Sequence, residues 1–598
     1  MHRIPLTFPA LVAALVLLVP LPAQSRHYTA RNIEPQDQES ATVPGGRFWN
    51  LPPEELQGLR WPASSEAIDH HVEHLLASMS DEERVAQILM LAWSGEEPSD
   101  EILRWITERN LGGVKIFGWN AENLVTLTRS LTTMQRKSIA TENGIPLFTA
   151  TDQEGGWVRH IKGGTLITPG NMAIGASGLP YDAMMSSRYI GQELRALGVN
   201  MNFAPTVDVY INPEAHVIGP RAFSHDPAQT GLLGTAFFRG QEQSGVIATA
   251  KHFPGHGNAT GDSHGVLPVL NDSFQTLWDR DLLPFRMLIR EGIPAILGGH
   301  LSFPEISGVE TPASLSPYFN ITLLRENLGF EGIVITDDMY MGGALVYAER
   351  QGWTFAELIK QAVLAGNDSV MLSRTPAFNG LIWRTLLEAY RTEPDFRRRV
   401  DESVRRTLRV KIAYLIPEWR VPLFPDASTV REFVRIPEAQ TFFLDQAGRS
   451  ITMIRDTALP HPRREGERVL LAGRGATFFA VGRQFFPGAG ELRFRGSNFY
   501  SSLAEDRNRW AAEMDRYDTV IFLLSDPNTL EILQSARPKN AKVIVYSVLT
   551  PIYLGALPWV ENAIAVYGWG RESFEAGFSV IQGHYQPRGS LPLLLNYP

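Results

Sequence analysis

Between residues 87 and 372 short apolar runs recur, each closing on polar residues or glycine and each followed by apolar positions three or four apart. The first pattern predicts strands buried on both faces, and the second predicts helices that cover them. Eight strand segments stand out: QILML near 87, GGVKIF near 112, PLFTATD near 146, NMNFAPTVD near 200, IATAKHF near 247, AILGGH near 295, GIVITDD near 332 and SVML near 369. Between them, Leu124, Leu127, Leu131 and Met134 mark one helix, and Ile190, Leu194 and Leu197, closed by Gly198, mark another. Eight such units in about 300 residues predict a (β/α)8 barrel rather than an open sheet. Ser80 and Glu83, at capping-box spacing, show ordered structure under way before the first strand.

Residues 396–415 hold seven arginines and lysines, but Val400, Val404, Leu408 and Ile412 repeat every four positions. This predicts an amphipathic helix on the barrel with its charges in water, not a nucleic-acid contact. Three prolines between Pro417 and Pro425 begin a linker. A second α/β unit follows, with strand segments RVLLAG near 468, TVIFLLSD near 519, KVIVYS near 542 and AIAVYG near 563, which predict a smaller, mainly parallel sheet. Its GRGAT falls short of the dinucleotide fingerprint, so no cofactor is assigned there. The organisation expected is a signal peptide at 1–23, an exposed leader at 24–62, a barrel at 63–416, a linker at 417–440 and an α/β domain at 441–598.

Composition narrows the function. Of 598 residues 44% are hydrophobic and 20% charged, which suits large buried cores, and the net charge of −9 offers no field to gather nucleic acid. Cysteine is absent, so catalysis must use oxygen or imidazole groups. Arg3 precedes an apolar run from Phe8 to Val19 and then Pro20, Leu21, Pro22 and Ala23. This suits a secretory signal cleaved near Ala23 and a periplasmic or secreted protein, with an uncleaved amino-terminal anchor as the alternative. No later segment is long and apolar enough to span a membrane.

A barrel places its chemistry where strands end, and Asp152, Asp208, Lys251 with His252, His300 and Asp337 all stand where an apolar run stops. Any one of these can simply cap a helix; five in phase point to a site. KHFPGHGNATGDSHGVLP, residues 251–268, is a loop, because Pro254 and four glycines break any helix. Within it, Asp262 is two residues from His264, close enough to fix the imidazole tautomer and stabilise its protonated form as a proton donor. A metal site is the competing use of three histidines and an aspartate, but Phe253-Pro254-Gly255 between His252 and His256 destroys helical ligand placement. Asp337 and Asp338 end the seventh run. A carboxylate there can attack an electrophilic carbon, and Asp338 is given the lesser role of capping the next helix.

Taken together, DQEGG at 152–156, NFAPTVDV at 202–209, GPRAFS at 219–224, KHFPGHG at 251–257, DSHGVLP at 262–268, LSP at 315–317 and ITDDMYMGG at 335–343 resemble glycoside hydrolase family 3. The resemblance is to its bacterial β-N-acetylglucosaminidase branch, covers residues 75–415, and extends more weakly to a carboxyl-terminal α/β sandwich domain ending in GSLPLLL. It implies Asp337 as nucleophile, His264 held by Asp262 as general acid and base, and Asp152, Arg221, Lys251 and His252 as the groups that hold the sugar in the −1 subsite. It also implies double displacement with retention and no metal or organic cofactor. The chain departs from the family at His160 and Trp157, where arginines are usual, and at Asn258 and Ala259, where Asp-Thr is usual. The expected activity is that of an exported exo-β-N-acetylglucosaminidase acting on terminal β-linked GlcNAc of peptidoglycan fragments or chitooligosaccharides. The alternatives are a phosphorylase or broader β-glucosidase of the same family, and a non-catalytic wall-fragment binding protein.

Overall fold

A computed structural model describes residues 46–56, 59–62, 65–417, 420–495 and 503–595. The expected signal peptide and most of the leader lie outside the described residues. The eight segments form eight parallel strands: β1 (Leu89–Ala92), β2 (Gly113–Lys115), β3 (Phe148–Thr151), β4 (Met201–Asn202), β5 (Ile247–Phe253), β6 (Ala295–Gly298), β7 (Ile333–Thr336) and β8 (Val370–Leu372). They pair in the order β8-β1-β2-β3-β4-β5-β6-β7, and a parallel bridge between Ile335 and Ser369 closes the ring. The strands are buried throughout, which explains why they read as apolar runs rather than alternations. β4 is short because Pro205 has no N–H to give, although the chain stays beside β5 through the Val207 N–H on the Lys251 carbonyl. After β3 a small antiparallel hairpin, Gln153–Gly155 with Val158–Arg159, stands above the barrel rim.

Three expectations need correction. The leader is not exposed to its end: Phe48 is fully buried, with Leu51 and Leu59, in the barrel's core cluster. The stretch read as a linker is packed, with Val421, Val430 and Val434 buried and a short helix at Val430–Phe433. The helix Pro394–Leu415 does bury its predicted apolar face, but not all its charges are in water. Buried Arg399 holds Asp368 at 3.0 Å, and buried Lys411 donates to Gln87 Oε1 at 2.9 Å and the Gly112 carbonyl at 2.8 Å. A long side chain carries its charge past the apolar stripe to polar groups beneath it.

The carboxyl-terminal sheet has six strands: β9 (Thr452–Asp456), β10 (Val469–Gly473), β11 (Gly490–Arg493), β12 (Thr519–Leu524), β13 (Lys542–Val548) and β14 (Asn562–Tyr567). Their order is β9-β14-β13-β12-β10-β11, all parallel except β9. Apolar clusters fill both faces. A further cluster joins Met172, Tyr210 and Ile218 of the barrel to Ile552, Tyr567 and Leu593, and Arg449 pairs with Asp182 at 2.6 Å. This contact brings the ends of β12 and β13 to the mouth of the barrel.

Candidate active site

A cavity of about 500 Å³ opens over the carboxyl ends of the barrel strands. Its lining includes Lys115, Asp152, Arg221, Lys251, His252, His264 and Asp337, so six of the seven residues singled out from the sequence meet there. The seventh, Asp262, stands behind His264 as its hydrogen-bond partner. Of the strand-end residues, Asp208 and His300 do not line the cavity. Asp208 instead accepts from His252 Nδ1 at 2.7 Å and from the His256 N–H at 2.7 Å, fixing both segments of the loop. His300 bonds Ser314 Oγ and the Asp338 carbonyl.

One wall is a charged lattice. Asp152 takes Lys115 on one carboxylate oxygen and Lys251 on the other, each at 2.6 Å. Lys251 also reaches Glu154 at 2.6 Å, and Glu154 accepts two nitrogens of Arg221 at 3.0 and 2.8 Å. Arg221 Nη2 in turn lies 3.1 Å from His252 Nε2. Burial would raise the carboxyls, but the cations overcome it: Asp152 is held well below the usual carboxylate range and Glu154 falls to about 2. For Lys251, attraction by both carboxylates outweighs burial and raises its affinity for the proton; for Lys115 burial prevails and lowers it. The lattice is ionised and rigid, offering carboxylate acceptors beside ammonium and guanidinium donors. Glu154 and Lys115 escaped the sequence reading, although Glu154 lies inside DQEGG and Lys115 is a cation at the tip of an apolar run.

Asp337 follows β7 at the cavity floor, partly exposed, with Oδ1 accepting from the Asp338 N–H at 2.9 Å. Burial would raise its pKa, but His252, His300, that N–H and Lys251 together lower it, so the carboxylate is charged at neutral pH. Asp338 does not cap the next helix as expected. Its Oδ1 accepts from the Tyr340 and Ser373 N–H groups, tying the β7 turn to the end of β8.

His264 projects from the loop, 64% exposed at its side chain, with Nδ1 at 2.7 Å from Asp262 Oδ1. The same oxygen accepts the His264 N–H at 2.9 Å. Burial would raise the Asp262 carboxyl, but these two contacts lower it, keeping an anion beside the imidazole. With Nδ1 engaged by Asp262, Nε2 is the ring nitrogen left for proton exchange, on a side chain that lines the cavity. The loop is docked rather than loose, because Gly342 N donates to the His264 carbonyl at 2.8 Å and Gly343 N to the Ser263 carbonyl at 3.0 Å. The approach requires glycine: a Cβ on Gly342 would lie 2.6 Å from the Gly265 carbonyl carbon. His256 packs inside with Nε2 at 3.1 Å from Ser263 Oγ, and burial with neighbouring His252 pulls its pKa down to about 4. Among the described residues no three His, Asp or Glu side chains are grouped as metal donors. Of the family departures, Asn258 bonds Asp272 Oδ2 at 2.9 Å and Ala259 is buried, so both hold the loop base.

The far wall comes from the carboxyl-terminal domain: Ser525 and Asp526 after β12, and Leu549, Thr550 and Tyr553 after β13. Asp526 is fixed by Ser525 Oγ at 2.7 Å and Arg474 at 3.2 Å.

With this geometry in view, comparisons place the chain among known proteins. The family model described as glycosyl hydrolase family 3 N terminal domain matches residues 80–410. The chain is 36% identical to Beta-hexosaminidase A of Pseudoalteromonas piscicida over 260 residues, 41% of this chain and only 43% of that protein. It is 27% identical over 563 residues to a Beta-N-acetylglucosaminidase/beta-glucosidase of Cellulomonas fimi, covering 87% of this chain and 95% of the relative. Among solved structures, a glycoside hydrolase family 3 beta-N-acetylglucosaminidase from Paenibacillus sp. str. FPU-7 superposes with a TM-score of 0.74 at 27% identity, covering 87% of this chain and 99% of that one.

Proposed function

We propose, from the premise that this chain belongs to glycosyl hydrolase family 3 and is a glycoside hydrolase, that it is a retaining exo-β-N-acetylglucosaminidase. The observation that carries the reading is a single cavity with an ionised strand-tip carboxylate, Asp337, on its floor and an imidazole backed by a carboxylate, His264 with Asp262, on its rim. In this reading Asp337 attacks the anomeric carbon as His264 Nε2 gives its proton to the departing oxygen. The glycosyl-aspartate is then opened by a water whose proton returns to His264. The lattice of Asp152, Glu154, Lys251, Arg221 and His252 grips the ring hydroxyls and the acetamido oxygen of the −1 sugar, with bonds that strengthen as the ring flattens. Export is part of the proposal and is supported by the apolar run from Phe8 to Val19 ahead of a cleavage position near Ala23.

The test is to compare aryl β-GlcNAc and aryl β-glucoside turnover, each with and without inorganic phosphate, and to look for a sugar-mass adduct on the peptide bearing Asp337. GlcNAc release independent of phosphate, with the adduct, is expected. Release of GlcNAc 1-phosphate would make the protein a phosphorylase, and binding without turnover would make it a binding protein.

A further inference from the structure

Of the 13 tryptophans in the chain, the two that stand exposed among the described residues are Trp119, at 47%, and Trp157, at 60%. They follow β2 and β3, which are neighbours in the barrel, and both stand on its carboxyl-terminal face. Trp157 lines the cavity itself. It rides on the hairpin turn, where Gly155 and Gly156 take positive φ and a Cβ on Gly156 would lie 2.8 Å from Gly170 Cα. That close seat presents the indole on a rigid support.

Trp119 joins the cavity through a run of rings. His160 lies 3.4 Å from Asp152 Oδ2 and packs edge-on to Phe117 at 5.1 Å; Phe117 stacks on Trp119 at 4.5 Å with 10° between planes. The Trp119 indole N–H is held by the Trp93 carbonyl at 2.9 Å, and Asn120 bonds the same carbonyl. Large apolar rings fixed in water, beginning at the carboxylate lattice and leading outward, match the CH-rich face of a sugar whose hydroxyls stay solvated at its edge.

Charge says which sugars. Lys115, Arg221 and Lys251 are already engaged by Asp152 or Glu154, while Asp337, Asp338 and Asp526 add further acid to the lining. Among the described residues the lining holds no other lysine or arginine with which to meet a carboxylate on the aglycone. We propose that Trp157 and the Phe117–Trp119 stack are the aglycone subsites, and that the substrate class is an uncharged β-linked amino-sugar oligosaccharide rather than a muramyl fragment bearing a carboxylate. This rests on the GlcNAc reading above.

The experiment measures kcat/KM for aryl β-GlcNAc, chitobiose, chitotriose and GlcNAc β-linked to N-acetylmuramic acid, on the full chain and on Trp157→Ala and Trp119→Ala. Chitotriose is expected to exceed chitobiose, and chitobiose to exceed the muramyl disaccharide, roughly tenfold at each step. Each alanine variant should lower the chitotriose value several-fold more than the aryl-glycoside value. If the aryl glycoside is cleaved but chain length has no effect, or the alanine variants lower both substrates equally, the aromatic platform is overturned. A muramyl disaccharide turned over as well as chitobiose overturns the uncharged class. Failure to cleave any GlcNAc glycoside, with folded protein by circular dichroism, instead overturns the GlcNAc reading and the platform with it.

Discussion

At the scale of single residues the chemistry divides between a group that must be charged and a group that must carry a proton. Asp337→Ala should abolish turnover while leaving the fold, because among the described residues its carboxylate takes one hydrogen bond, from the adjacent N–H; circular dichroism alongside activity checks this. His264→Ala should slow substrates with poor leaving groups by about 10²- to 10⁴-fold and activated aryl glycosides far less, since only the former need protonation. Equal losses on both classes would remove His264 from the reaction. The pH profile follows from the sign of the Asp337 shift. The reactive form is the carboxylate, and His252, His300, the Asp338 N–H and Lys251 outweigh burial to lower its pKa, so the acid limb of kcat/KM should lie below the ordinary aspartate value of about 3.9. A limb above that value would mean that burial wins.

At the scale of elements the sensitive contact is the seat of the loop on the start of the helix Gly342–Gln351. Gly342→Ala would drive a methyl into the Gly265 backbone, and overpacking of that kind costs roughly 1–3 kcal/mol. The loop can escape by lifting, so the expected outcome is a kcat loss concentrated on poor leaving groups, with little further loss when Gly342→Ala is added to His264→Ala. A double-mutant cycle measures this coupling, and simple additivity would detach the contact from catalysis. The eight barrel strands were legible because each is buried on both faces and reads as an apolar run. The edge strands β9 (TMIRD) and β11 (GELR) were not, being partly exposed and polar in composition. The helical period at 400–412 revealed the buried face, but could not reveal that Lys411 reaches through to Gln87 and Gly112. In the site, residues at strand tips and in the DSH segment could be read directly. The wall of Ser525, Asp526 and Tyr553 could not, because only the docking of the second domain brings it there.

At the scale of the whole molecule, stability should depend on pH through a carboxyl far from the cavity. Glu193, on the barrel helix Pro180–Leu197, is buried where the loop at Leu166 meets the segment at Arg435 that leads into the second domain. Its Oε1 accepts from the Arg435 N–H at 2.8 Å and the Leu166 N–H at 3.2 Å. Burial raises its pKa to about 7 despite those bonds. A raised carboxyl binds more protons in the folded than in the unfolded chain between its unfolded value near 4.5 and about 7, so unfolding free energy falls as pH rises through that window. Asp281, raised by burial to about 7 against the pull of Arg280, acts in the same direction from the start of the helix Leu282–Arg290. Buried His256, drawn down to about 4, works in the opposite direction up to its unfolded value near 6.5, so the carboxyl contribution is read as the difference in melting temperature between Glu193→Gln and the parent chain from pH 5 to pH 8. Glu193→Gln keeps the oxygen to which both N–H groups donate and cannot ionise, so it should match the parent chain at pH 5 and melt progressively higher than it toward pH 8. A variant whose slope equals that of the parent chain would show that Glu193 ionises in the folded protein at an ordinary pKa, with its two backbone donors outweighing burial.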